Sequence, residues 1–251
     1  METYSKNVCE LKYEFVNAYK GNSHTTEILP NVPTESFFIN EKQLSLLHEF
    51  LNVNPIYTNH IIKKMSMNDY TIFEGDLNNY WIDSIKHDAS YAPFYPTWVL
   101  SAWGLALAAK NLGFEQIIDI GSGDGRIAYC GKTLGLESLS IEIDENLVNL
   151  QEDISEKTGV EFNPKCADAT IFNFEDIPSK KSIFVIGGVP EIGEVLAESV
   201  IKNVLQVLEL SDASFVLTGS HSHREFSRDR TDSGWGTTIK KFELEVMSTI
   251  S

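Results

Sequence analysis

Apolar and polar positions follow two different rhythms along this chain, and the change falls near residue 90. Before it the spacing is helical. Leu44, Leu47 and Leu51 recur on one helix face, which predicts a helix over Glu41–Asn52. Similar patterns predict helices over Cys9–Lys20, Pro55–Met65 and Leu77–Ile85, with a loop from Gly21 through Pro30 and Pro33. Residues 1–90 therefore read as a helical cap, with a dimer surface as the alternative. From Pro96 onward strands and helices alternate. A helix over Thr97–Asn111 is apolar on most sides, as a helix buried between layers would be, and Gly113 closes it. Strands are predicted over Gln116–Ile120, Ser138–Glu142, Val160–Cys166, Ser182–Ile186 and Ser214–Thr218. Helices are predicted from Arg126 to near Gly135, over Glu145–Thr158, and along the stripe Ile192, Leu196, Val200, Val204 and Val207. Such alternation means an α/β fold, a mostly parallel sheet with helices on both faces. Thr238–Met247 alternates strictly and predicts an antiparallel edge strand. The expected division is a cap over 1–90 and an α/β domain over 91–251.

Composition narrows the partners. The chain has 251 residues, enough for one or two domains, and 42% of them are apolar, ample for a packed core. A formal charge of −16 argues against a nucleic-acid partner gripped through its phosphates. It suits a basic protein or a cationic small molecule, or serves solubility alone. Cys9, Cys130 and Cys166 are too scattered for a disulfide framework or a zinc site, and suggest a reducing compartment. The first residues lack the basic start and apolar core of a secretory leader, so a cytoplasmic home is expected. The apolar stretch from Trp98 to Ala109 is too short to span a bilayer, so no membrane partner is expected.

The chemistry concentrates in Ile117-Ile118-Asp119-Ile120-Gly121-Ser122-Gly123-Asp124-Gly125-Arg126. This reads as a buried strand, a tight turn and a helix start. Glycines let the backbone take strained angles close to a ligand, and the helix offers free N–H groups. A nicotinamide turn, G-x-G-x-x-G, needs a third glycine where Arg126 stands. Asp119, Gly121, Gly123 and Gly125 instead fill the pattern acid-x-Gly-x-Gly-x-Gly, which resembles the class I S-adenosylmethionine-dependent methyltransferases. An acid about 20 residues past the turn is where a ribose-binding carboxylate belongs. Glu142 is preferred over Asp144 because it sits nearest the expected strand end. The resemblance implies that Asp168, after the next strand, accepts from the adenine amino group, and that Ser122, Asp124, Ala169 and Gly187 also line the cofactor.

A narrower likeness lies upstream. Tyr91-Ala92-Pro93-Phe94-Tyr95-Pro96-Thr97, taken with the turn and Ile141–Val148, resembles the small seven-strand protein-lysine methyltransferases and their prokaryotic relatives. The resemblance implies that Tyr95, Pro96 and Thr97 cover the methionine part of the cofactor. Pro96 merely starting a helix is an equal alternative. After Ile186 the chain reads Gly187-Gly188-Val189-Pro190-Glu191, with no Asn-Pro-Pro-Tyr and no strand-end Asp, which disfavours amide or adenine methylation and a metal-assisted site. Tyr95 and Glu191 are the candidates for assisting proton loss from an acceptor, and neither is assigned as base. His221 and His223 have no third metal ligand at suitable spacing, and Arg224, Arg228 and Arg230 alternate with acids as a solvated loop would. The expected activity is methyl transfer to a protein lysine. A small-molecule acceptor, or cofactor binding without transfer, remain the alternatives, and oligomeric state is open.

Overall fold

The computed structural model describes residues 1–65, 68–84, 94–188, 190–207, 213–218 and 235–242. Helix α1 (Glu2–Ala18) is followed by strand β1 (Thr25–Pro30), helix α2 (Glu41–Val53), strands β2 (Tyr57–Met65) and β3 (Asn68–Gly75), and helix α3 (Asn78–Ser84). Helix α2 starts on a reciprocal cap: the Asn40 side chain accepts from the Gln43 N–H while Gln43 accepts from the Asn40 N–H. Its Leu44, Leu47 and Leu51 are buried, as their spacing predicts. The rest of the N-terminal region departs from a purely helical cap. The predicted helix over Pro55–Met65 is strand β2, and Thr25–Pro30, predicted as loop, is strand β1. Both pair antiparallel with β3 in the order β1-β3-β2. Ile61 and Ile62 are β-branched and favour the pleat, and β3 supplies the ladder that residues 55–65 cannot display alone.

The α/β pattern is as expected after residue 98. Helix α4 (Val99–Asn111), β4 (Gln116–Ile120), α5 (Arg126–Thr133), β5 (Glu137–Glu142), α6 (Glu145–Thr158), β6 (Pro164–Cys166), β7 (Ser182–Ile186), α7 (Pro190–Val204) and β8 (Ser214–Leu217) follow in turn. The five strands form one parallel sheet in the order β6-β5-β4-β7-β8. Strand β6 is shorter than predicted, since Asn163 sits at φ 54 and only Pro164–Cys166 pairs with β5. The predicted C-terminal edge strand is corrected too. Gly236–Lys241 is a helix, α8, and residues 243–251 lie outside the described residues. Two-residue alternation over as few residues as Thr238–Lys241 is too short to set a strand by itself.

The core has two parts. On one face of the parallel sheet, α4, α5 and α6 pack with α1, α2 and the N-terminal sheet, around Trp103, Tyr129, Phe50 and Phe162. On the other, α7 lays Ala197, Val200, Ile201 and Val204 against Ile118, Ile120 and Phe184, beside Phe174 and Trp235. Full burial of side chains of this size stabilises by roughly 1.5–3 kcal/mol each. The first part is continuous across residue 90. Helix α1 docks on α4 by placing the Tyr4 ring where a Cβ on Gly104 would stand, and the Tyr4 hydroxyl donates to the Leu100 carbonyl. No helix among the described residues is long and apolar enough to cross a membrane.

Candidate functional site

Strand order reverses at β4. The chain runs outward from β4 through β5 to β6, then returns to the other side of β4 with β7. In open α/β sheets such a switch point opens a crevice at the carboxyl ends of the strands, where ligands bind. The glycine turn leaves β4 at that point. Gly121, Gly123 and Gly125 have φ of 64°, 58° and 76°, left-handed angles that only glycine adopts freely. Two of them are also sterically closed. A Cβ on Gly123 would collide with the Phe94 ring, and one on Gly125 would meet Phe162 and Gln151. Gly125 caps the N-terminus of α5.

The predicted acids stand at successive strand ends: Asp119 in β4, Glu142 closing β5 and Asp168 just after β6. Glu142 is buried, and backbone holds both its oxygens: Oε2 accepts from the Gly123 N–H at 2.8 Å, and Oε1 from the N–H groups of Ile143 and Asp144 at 2.8 and 3.0 Å. Burial raises its carboxyl pKa despite these donors. Asp119 is buried with a long bond, 3.4 Å, from the Ala128 N–H, and burial lifts it well above the ordinary carboxylate range. Asp144 does not face solvent. It is buried and caps α6 by accepting from the Asn146 N–H at 2.8 Å. Asp168 is half-buried and accepts from the Thr170 N–H and hydroxyl at 2.8 and 2.7 Å. Ala169 is buried beside it. Gly187 follows β7, and Glu191 lies in the first turn of α7, its side chain outside the described residues.

The segment from Phe94 crosses the turn. Phe94 packs on Gly123, the Thr97 carbonyl accepts from Arg126, and Pro96 is half-buried between them. Tyr95 is 79% exposed. Tyr91, Ala92 and Pro93 fall outside the described residues, as do His221, His223 and the Arg224, Arg228 and Arg230 loop.

Sequence reasoning passed over the residues that hold the turn in place. Arg126, noted only as a missing glycine, is buried, and every N–H of its guanidinium has an acceptor. Nε and Nη2 bond the two Asp124 oxygens at 2.8 and 2.6 Å, Nη2 also reaches the Tyr57 hydroxyl at 3.1 Å, and Nη1 bonds Glu27 and the Thr97 carbonyl. Asn54 adds a bond to Asp124 Oδ2 at 3.0 Å, and Glu27 Oε2 accepts from the Val99 N–H at 2.8 Å. Burial raises the Glu27 pKa against the opposing pull of Arg126. Arg126 stays protonated, since Asp124, Tyr57 and Glu27 outweigh the cost of its own burial. Gln151 joins the turn to α6, donating to Ser122 Oγ at 3.0 Å and the Gly123 carbonyl at 2.7 Å. A signal for Gln151 existed, because it stands on the apolar stripe of Leu147, Val148 and Ile154. No such local signal marks Glu27. Among the described residues no group of three His, Cys, Asp or Glu side chains is placed to hold a metal ion.

No protein-family model matches the chain, and no curated protein matches it. Solved structures similar to it include the ribosomal protein L11 methylase of Lactobacillus delbrueckii subsp. bulgaricus, 15% identical over 49% of this chain and 60% of that one, TM-score 0.36. The tRNA (uracil-54, C5)-methyltransferase of Pyrococcus abyssi, in complex with S-adenosyl-L-homocysteine, is 16% identical over 51% of this chain and 31% of that one, TM-score 0.39. The RNA methyltransferase of Salinibacter ruber, also with S-adenosyl-L-homocysteine, is 20% identical over 52% of this chain and 81% of that one, TM-score 0.38. The match spans less than two thirds of the length of the first two.

Proposed function

We propose that this chain is an S-adenosylmethionine-dependent methyltransferase whose acceptor is the side chain of a protein lysine. The observation that carries the reading is the acid-x-Gly-x-Gly-x-Gly turn at the switch point of a parallel sheet, with carboxylates at three successive strand ends. The residues present fit the cofactor. Glu142 is fixed by three backbone donors and keeps one acceptor site, on Oε2, for a ribose hydroxyl. On this reading Asp168 and Ala169, just past β6, would receive the adenine, and the start of α5 would offer N–H groups to the cofactor's polar end.

The cofactor supplies the activated methyl group. The chain supplies position: the turn, Glu142 and the Phe94–Thr97 crossing fix one reactant so that a bimolecular encounter becomes an oriented one. Phe94 and Asp119 beside the turn are themselves buried. On this reading residues 1–90 act as a cap over a catalytic domain of 91–251. The exposed Tyr95 ring, on the segment that crosses the turn, would meet a long cationic side chain approaching an acidic protein. Tyr95 or Glu191 would help the lysine lose its proton. The exposed thiols of Cys9 and Cys166 fit a reducing, cytoplasmic setting.

The test is to incubate the protein with lysate and methyl-labelled S-adenosylmethionine, then separate protein, nucleic-acid and small-molecule fractions. Label should enter protein and be recovered as methyl-lysine. Label confined to nucleic acid or small molecules would retain the enzyme and discard the lysine acceptor. No label in any fraction, with no binding of S-adenosylhomocysteine, would discard the enzyme.

A further inference from the structure

We infer that Glu27, reaching across from the N-terminal sheet, is a positioning residue for the cofactor turn and acts through Arg126 and Asp124. The inference rests on the methyltransferase reading of the site.

The glycines permit the turn but do not enforce it. A segment with φ of 64°, 58° and 76° at alternate residues has easy alternatives unless something outside holds it. Asp124 is the one non-glycine position between Gly123 and Gly125. Those two neighbours carry the amide that bonds Glu142 and the cap of α5. Whatever fixes Asp124 therefore fixes both ends of the candidate binding surface. What fixes it comes from outside the parallel sheet. Arg126 clamps both Asp124 oxygens, and Arg126 is in turn clamped by Glu27 of β1 and Tyr57 of β2, while Asn54, just past α2, bonds Asp124 directly. Glu27 Oε2 also takes the Val99 N–H at the start of α4, so the same carboxylate holds the segment that crosses the turn. Stability alone is a poor reason for such a cluster, because well-packed apolar residues often replace a buried ion group without loss. A site that must be held within a fraction of an ångström is a better one.

The experiment compares wild type, Glu27→Gln and Tyr57→Phe at a temperature where each is fully folded by circular dichroism. Calorimetry gives the Kd for S-adenosylhomocysteine, and hydrogen exchange follows the amides of residues 121–126. Glu27→Gln should weaken binding about tenfold, because a turn that leaves its binding conformation for most of the time loses apparent affinity in proportion. It should also speed exchange at the turn while leaving the centre of β3 protected. Tyr57→Phe removes one hydroxyl and should shift both readouts the same way, less far. It carries the test if Glu27→Gln does not fold. A merely structural role would lower Tm and leave both readouts of the folded protein at wild-type values, which would overturn the inference. If wild type itself binds no S-adenosylhomocysteine, the methyltransferase reading fails. Exchange at the turn then decides alone whether Glu27 positions it.

Discussion

The two sheets of this protein treat charge in opposite ways. On the antiparallel sheet the charges face water. His24 and Asp76 pair at 2.8 Å with more than half of each side chain exposed, and His60 and Lys64 of β2 are exposed. Lys63 and Glu74 are half-buried, and Glu27, which bonds Arg126 beside the other sheet, is fully buried. At the carboxyl ends of the parallel strands the charges are buried: Asp119, Asp124, Arg126, Glu142 and Asp144 are all under a tenth exposed. An exposed pair contributes little and costs little. Buried charge is expensive, and is retained where its orientation matters. The contrast singles out the same strand ends that carry the candidate site, without reference to any ligand.

The largest effect should come from breaking the buried cluster. Arg126→Ala leaves Glu27 and Asp124 facing each other without a cation. Removing one partner of a buried pair typically costs about 3–5 kcal/mol. Chemical denaturation should show a loss of that order, while His24→Ala, at the exposed pair, should leave the midpoint nearly unmoved. Equal losses at the two sites would abolish the contrast between the sheets.

Backbone strain comes next. Gly123→Ala places a Cβ at φ 58° and against the Phe94 ring. The backbone alone should cost about 1–3 kcal/mol. Pairing it with Phe94→Ala separates the two causes. If the collision matters, the double variant recovers part of the loss; if it recovers none, Phe94 does not press on the turn.

How far the sequence reveals each sheet follows from the same contrast. The parallel sheet was legible because its signals are local. Alternating glycines permit left-handed angles that other residues resist, and β5 ends at Glu142 as its pattern predicts. The antiparallel sheet was not, because β1 and β2 exist through β3. A stretch such as Tyr57–Met65, exposed at most of its positions, has no apolar stripe to declare its period. The Arg126–Glu27 pair was hidden for a similar reason. The two residues are 99 apart, and nothing near either forecasts the other. Three glycines and an acid announce a turn, but the side chains that hold it come from elsewhere in the chain.

The neighbouring acids Glu142 and Asp144 sharpen the comparison within the parallel sheet. Both are buried and both accept backbone N–H groups, but they sit on different elements. Glu142→Ala should weaken S-adenosylhomocysteine binding about 10- to 100-fold, the cost of a charged acceptor. Asp144→Ala removes the cap of α6 and should cost about 1 kcal/mol of stability, with a smaller loss of affinity. Calorimetry beside thermal denaturation separates the two. A larger affinity loss at Asp144 would move the binding carboxylate two residues further along the chain.

The smallest effect is one of slope. Burial holds the folded-state pKa of Asp119 above its unfolded value near 3.8. Between those two values the native chain keeps a proton that the unfolded chain has released. Stability contributed by this group is therefore present at low pH and is lost as pH rises through the folded-state pKa. Asp119→Asn removes that dependence, because an amide has no charge to desolvate. Its stability should fall less steeply with pH than wild type and exceed it at neutral pH, where the buried carboxylate is most costly. Cofactor binding should weaken in the same variant, since the acid opens the turn that Glu142 and Arg126 hold. Stability gained as binding is lost would mark Asp119 as a charge kept for the site rather than for the fold. Parallel pH profiles for variant and wild type would show instead that this carboxyl titrates alike in the folded and unfolded chains, so that burial at the end of β4 does not shift it.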